Sequence, residues 1–141
     1  MSTPSPLDPP PIIVSTHDAR RLEALLAAPG AADADVVEAL EAELARAELR
    51  EPDAIGPDVV TMNSQLRCID ETSGAMHELR LVYPRDAGAA PGNVSVLAPV
   101  GAALLGLSVG QSIDWPLPGG RTTRLRVDRV LDQPEAHGRA D

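Results

Sequence analysis

Few side chains in this chain are able to do chemistry, and their spacing gathers almost none of them. His17, His77 and His137 fall in a helix start, a strand and a tail, with no HxxxH or CxxC spacing that would converge on a metal ion. Cys68 is the only cysteine, so an internal disulfide framework is excluded and a reducing cytoplasm is the expected compartment. It sits in an alternating apolar pattern, which reads as core rather than as a nucleophile beside a base. Gly119-Gly120 is not followed by Lys-Ser/Thr, and the chain has no lysine, which removes a Walker-type phosphate loop. One acidic pair remains, Asp33 with Asp35. Two carboxylates at a hairpin tip can hold a divalent ion in trans; the favoured reading is that one of them caps a helix and complements the positive end of its dipole. No cofactor and no metal site follow from these residues.

The elements that must position them are aliphatic and acidic. The chain has 141 residues, one domain's worth, with 12 basic residues (all arginine) against 21 acidic ones and a net charge of −9. Such a surface repels bare phosphate backbones, which argues against nucleic-acid binding as the main activity. With no Phe, and with Trp115 and Tyr83 as the only aromatic residues, there is no material for a base-stacking platform. The acidity is uneven: residues 1–56 hold 4 Arg and 11 acidic side chains, residues 57–141 hold 8 and 10.

Residues 1–11, rich in proline and without a basic start or apolar core, read as a disordered leader rather than a signal peptide. Ser15 or Thr16 caps a first helix of about 12 residues whose stripe is Ala19, Leu22, Leu25 and Leu26, ending before Pro29-Gly30. A second helix of about 16 residues runs from Asp33–Asp35 to about Arg50, with Val37, Leu40, Leu44 and Ala47 as its seam and Pro52 as its stop. The short connection makes the pair, residues 12–51, an antiparallel hairpin with Gly30, Asp33 and Asp35 at its tip.

After a linker over residues 52–57 the period becomes two. Val60, Met62, Ser64, Leu66 and Cys68 share one strand face; Met76–Tyr83 returns with His77, Leu79, Leu81 and Tyr83 on a face; Asn93–Leu97 is a third strand. Pro99 opens a short helix that Gly106 stops. Ser112–Leu117 and Thr122–Leu131 pair around Pro118-Gly119-Gly120. The fold class is α+β: a helical hairpin, then an antiparallel sheet of about five strands wrapping one short helix over residues 58–135, and a tail at 136–141. The charge-free stretch Ala87–Ile113 is divided by proline and glycine into pieces too short to span a membrane.

The run Ala98-Pro99-Val100-Gly101-Ala102-Ala103-Leu104-Leu105-Gly106-Leu107-Ser108-Val109-Gly110-Gln111-Ser112-Ile113, followed by Pro118-Gly119-Gly120, resembles the C-terminal domain of GreA/GreB transcript-cleavage factors. Asp58-Val59-Val60-Thr61-Met62-Asn63-Ser64 and Leu81-Val82-Tyr83-Pro84 resemble one relative more closely, the bacterial family named regulator of nucleoside diphosphate kinase. The resemblance covers about residues 12–135. It implies an N-terminal antiparallel coiled coil and a C-terminal domain similar to FKBP-type prolyl isomerases. It also implies RNA polymerase as partner, the C-terminal domain docking at the rim of the secondary channel and the coiled coil entering it. The family's rim contact maps to Ala98, Pro99, Val100 and Gly101, with Ala98 standing where the family has serine.

Two departures limit what the resemblance carries over. Helices of about 12 and 16 residues span ~18 and ~24 Å, too short to bring Asp33 and Asp35 to a buried active site, so transcript cleavage is not expected. An isomerase pocket is lined by aromatic side chains that this chain lacks. The expected function is therefore non-enzymatic: binding to RNA polymerase in competition with Gre-type factors. The alternative is control of nucleoside diphosphate kinase, direct or through transcription. A third class, a bare enzyme such as an isomerase or kinase, predicts turnover in a peptide-isomerisation or NTP assay.

Overall fold

The computed structural model describes residues 11–28, 30, 34–116 and 118–133. The leader (apart from Pro11), Asp33, His137 and the tail at 136–141 lie outside the described residues. The first elements are strand β1 (Ile13–Ser15) and helix α1 (Thr16–Ala27). Ser15 is the N-cap: its Oγ accepts the Asp18 N–H at 3.0 Å, satisfying one of the first-turn donors that have no helical partner. Asp18, Ala19, Leu22 and Leu26 are the buried stripe. Among the described residues, no helix is long and apolar enough to cross a membrane.

Helix α2 (Ala34–Arg46) turns Leu40 fully inward, with Val37 and Leu44 half-buried beside it. It ends four residues earlier than its composition suggests. Glu48–Arg50 form strand β2, which pairs in parallel with β1, Ile13 opposite Glu48, Val14 opposite Leu49 and Ser15 opposite Arg50. The apolar seam stops at Ala47, so nothing on the core side favours another turn. Buried Val14 and Ser15, by contrast, have backbone groups that need partners away from water. The stop is therefore this strand pairing and not Pro52, which opens a 3-10 turn with Asp53 and Ala54.

The main sheet comprises β3 (Gln65–Asp70), β4 (Met76–Val82), β5 (Asn93–Ser95), β6 (Ser112–Pro116) and β7 (Thr122–Asp132), in the order β5-β4-β3-β7-β6. The expected all-antiparallel arrangement fails at one edge, because β5 runs parallel to β4. Residues 83–92, which include the 3-10 turn Pro84–Asp86, carry the chain back along the sheet instead of folding it into a hairpin, so the next strand points the same way. The first strand also begins later than Val60. Residues 61–64 form a turn in which Ser64 Oγ accepts the Thr61 N–H at 2.9 Å and Asn63 has φ +66°. Val60, Met62, Ser64, Leu66 and Cys68 are nevertheless all buried, so the alternating face extends through a segment that is only partly strand.

Helix α3 (Pro99–Leu104) follows β5. Its end leads into Gly106, at φ +82°, where an added Cβ would lie 2.7 Å from Ile12 Cβ. Gly106 therefore serves both the left-handed turn and a close crossing with β1, to which its carbonyl is bonded by the Ile13 N–H at 3.0 Å. A single aliphatic core joins the parts: Ile12, Val14, Leu22 and Leu40 from the helical segment meet Leu66, Leu81, Val96, Leu104, Leu105 and Val127. Each fully buried Leu side chain there contributes roughly 1.5–3 kcal/mol.

Candidate partner-binding surface

The segment that opens α3 is built by its neighbours. Ser95 Oγ accepts the Leu97 N–H and Ser95 O accepts the Ala98 N–H, both at 3.0 Å, which folds the chain out of β5 and into the helix. Ala98 is the N-cap residue, extended at φ −70° and ψ 147°, and makes no side-chain cap bond. Pro99 stands in the first turn, where a missing N–H costs nothing.

The four expected contact residues do not share one outward face. Gly101 is buried: a Cβ there would lie 2.1 Å from Ser95 O, so its hydrogen is needed to let α3 lie on β5. Val100 is half-buried and packs on the core; Ala98 is half-buried. The outward side of α3 is continued by Ala102 and Ala103, which line an open cleft of about 350 Å³ with Asp35, Val36, Ala39 and Glu43 of α2. Gly30 is exposed at φ +72° with nothing within 4 Å of its missing Cβ. Asp35 is exposed inside the first turn of α2, where its charge favours the positive end of the helix dipole without being the cap.

The remaining chemical side chains are accounted for by structure. Cys68 is buried, and burial pushes its thiol up to about 11, which leaves it protonated and unreactive at neutral pH. Asp70 is held below the usual carboxylate range by the Thr123 hydroxyl at 2.6 Å and then by the Thr72 N–H at 2.9 Å, bonds that tie β3, its turn and β7 together. His77 is exposed on β4 and His17 half-buried in α1. Among the described residues, no three His, Cys, Asp or Glu side chains come together in a way that could hold a metal ion.

Asp18 is the residue that patterning misses. It is buried, and its Oδ2 accepts the Met62 N–H at 3.1 Å, linking the start of α1 to the turn before β3. The signal was available, since a carboxylate lies on the same stripe as Ala19 and Leu22. Arg21, one turn on, lies with its guanidinium 4.3 Å from the Tyr83 ring centre and makes a second tie between α1 and the sheet segment. No local pattern marks Ala39, Ala102 and Ala103 as the walls of one cleft.

Two families match this chain: "Transcription elongation factor, GreA/GreB, C-term" over residues 55–131 and "Rnk N-terminus" over residues 10–49. The chain is 46% identical to "Regulator of nucleoside diphosphate kinase" of Escherichia coli (strain K12), over 92% of this chain and 95% of that protein. A solved structure described as "Prokaryotic transcription elongation factor GreA/GreB from Nitrosomonas europaea" is 48% identical and superposes with a TM-score of 0.70, over 87% of this chain and 99% of that one. "Transcription elongation factor GreA" of Thermodesulfovibrio yellowstonii is 34% identical over 58% of this chain and about half (52%) of its own length. The match over nearly the whole length of both chains, together with the two adjoining family matches, shows that the chain belongs to the Rnk family, whose K12 member bears the name "Regulator of nucleoside diphosphate kinase", and that its C-terminal segment is of the GreA/GreB type.

Proposed function

We propose that this protein is a non-catalytic regulator of bacterial transcription that binds RNA polymerase at the rim of the secondary channel and competes there with Gre-type factors. In this reading residues 58–135 dock as a GreA/GreB-type, FKBP-like domain through the segment around Ala98 and Pro99, and residues 12–51 act as a short antiparallel coiled coil pointed at the channel. The observation that carries the reading is the union of a GreA/GreB-type C-terminal segment with helices of only 12 and 13 residues. At 1.5 Å per residue these are ~18 and ~20 Å long. A hairpin of that reach occupies a channel entrance without delivering Asp33 or Asp35 to a distant catalytic centre, which supports regulation by occupancy and no transcript cleavage. The same reading makes the protein cytoplasmic and independent of a bound cofactor. It also requires neither isomerase chemistry nor direct nucleic-acid binding.

The test is a pull-down of core RNA polymerase by the full chain, with Pro99→Ala alongside, followed by competition against a Gre factor and a transcript-cleavage assay. Expected are binding, displacement of the Gre factor and no cleavage; failure of the intact chain to bind ends the proposal.

The name borne by the relative at 46% identity supports a second reading, control of nucleoside diphosphate kinase. A stable complex with purified kinase and altered turnover would mark a direct effect. Altered kinase abundance with no complex would mark an effect through transcription.

A further inference from the structure

The cleft between α2 and α3 has a shape and charge that specify an occupant. Three of its lining residues, Asp35, Ala39 and Glu43, are spaced i, i+4, i+8 along α2, so they form one continuous ridge of the helix surface. That ridge is acid, methyl, acid, and eight residues of helix extend it over ~12 Å. The facing wall, from α3, contributes Ala102 and Ala103 and carries no charge, since Pro99–Leu104 contains no ionisable residue. Among the described residues Asp35 has no ion-pair partner, whereas Glu43 is bonded by Arg46 at 2.7 Å.

The walls are held in place. Leu40 below the α2 ridge and Leu104 and Leu105 at the end of α3 are buried in the common core. The Glu48 N–H bonds Ile12 O and the Ile13 N–H bonds Gly106 O, both at 3.0 Å, so the strand after α2 and the turn after α3 meet on the same two residues of the β1 segment. A preformed groove does not have to be ordered when it binds, which preserves affinity.

A small polar ligand would need several convergent donors and acceptors, and the cleft offers carboxylates from one helix only. A groove about 12 Å long, with Ala39 on one wall facing Ala102 and Ala103 on the other, suits a third helix instead, laid in by its own ridge. We infer that the α2–α3 cleft is a docking groove for a basic amphipathic helix of the partner, one that presents Lys or Arg to the unpaired Asp35 and small or aliphatic side chains to Val36, Ala39, Ala102 and Ala103. The inference rests on the polymerase reading, for which it names the chemistry of the docked element.

The experiment measures binding of the full chain to core RNA polymerase across a range of salt concentrations. Ala39→Trp fills the groove from an exposed helix position, and Ala42→Trp places the same side chain on the solvent side of α2 as control. The inference expects Ala39→Trp to weaken binding about tenfold or more while Ala42→Trp stays within about twofold. It expects Asp35→Lys to weaken binding and flatten its salt dependence. A photo-crosslinking residue at position 103 is expected to capture a polymerase peptide rich in Lys or Arg. Binding lost with Pro99→Ala but unchanged with Ala39→Trp overturns the groove while leaving the polymerase reading intact, as does an acidic captured peptide. No binding by the unaltered chain overturns both. Self-association of the chain that Ala39→Trp abolishes also overturns the inference, because the occupant would then be a second copy.

Discussion

Gly101→Ala is expected to destabilise the protein although it replaces a helical glycine by the best helix former. On propensity alone the exchange gains about 1 kcal/mol. An alanine methyl at this position, however, would lie 2.1 Å from Ser95 O, 2.9 Å from Ser95 C and 3.1 Å from Val96 Cα, more than 1 Å short of ordinary contact for the first. All three atoms are backbone, and that backbone is pinned: the Val96 N–H bonds Val82 O at 2.9 Å, and Ser95 O already accepts the Ala98 N–H. Helix α3 must therefore tilt away, lifting Leu104 and Leu105, which are 0% and 1% exposed. Overpacking of this kind costs about 1–3 kcal/mol or more, and a rigid backbone obstacle puts it at the upper end. The net loss is about 2 kcal/mol, a fall in Tm of roughly 6–8 °C for a chain of this size. Thermal melts followed by circular dichroism, with Gly88→Ala as control because nothing lies within 4 Å of its added methyl, give the comparison. A Gly101→Ala Tm equal to or above that of the unaltered protein would refute the reasoning, since α3 would then be free to slide on β5.

Ala98→Ser supplies the cap that α3 lacks, its Oγ reaching the Gly101 N–H, and should raise stability by about 1 kcal/mol in the same melts. Asp18→Ala leaves the buried Met62 N–H without its acceptor and should cost about 1–3 kcal/mol, with faster hydrogen exchange at that amide as the local readout. Because burial raises the Cys68 thiol from 9.0 to about 11, the folded state holds that proton more tightly than the unfolded one. Its contribution is complete below pH 9 and lost as pH rises toward 11, so denaturant midpoints should fall across that window and fall less in Cys68→Ala. A thiol reagent at pH 8 should modify Cys68 only as fast as the protein unfolds.

What could be read from the sequence was what short segments settle by themselves. Helix α1 shows in Ser15 and the Leu22–Leu26 stripe, α3 in Pro99 and Gly106, and the β6–β7 hairpin in its Pro-Gly-Gly turn, because caps and turns are local requirements. Strand β2 was hidden because Glu48-Leu49-Arg50 has the composition of a helix end and becomes strand only through β1, far back in the chain. The direction of β5 depends on where residues 83–92 take the chain, which no three-residue pattern encodes. The same limit applies at the candidate surface. Pro99 and Asp35 could be named from motif and position, but that Gly101 faces inward follows from Ser95, and that Ala39 faces Ala103 follows from how the helical segment seats on the sheet segment.

That seating also gives the net charge a location. On the sheet four of the five strand arginines are ion-paired, Arg67 with Glu78 at 3.1 Å and Asp128 at 4.0 Å, Arg124 with Asp114 at 3.2 Å, Arg126 with Glu71 at 3.2 Å and Arg80 with Asp132 at 3.5 Å, and Arg129 alone has no ion-pair partner among the described residues. Pairs this exposed add little stability, about 0–1 kcal/mol each, but they cancel the local field. On the helices Glu23, Asp35, Glu38 and Glu41 have no ion-pair partner among the described residues, and Glu23 and Glu41 flank a second cleft, between α1 and α2, as Asp35 and Glu43 flank the first. The molecule thus presents a nearly neutral sheet and a negative helical face, an asymmetry that orients it toward a basic surface before contact. Rim charges of this kind act on the association rate, while small side chains packed in a fixed groove act on the dissociation rate. Asp35 is a surface charge that also lines the groove, whereas Glu38 does not line it, which is why reversal of Asp35, unlike that of Glu38, should slow association and also shorten the life of the complex.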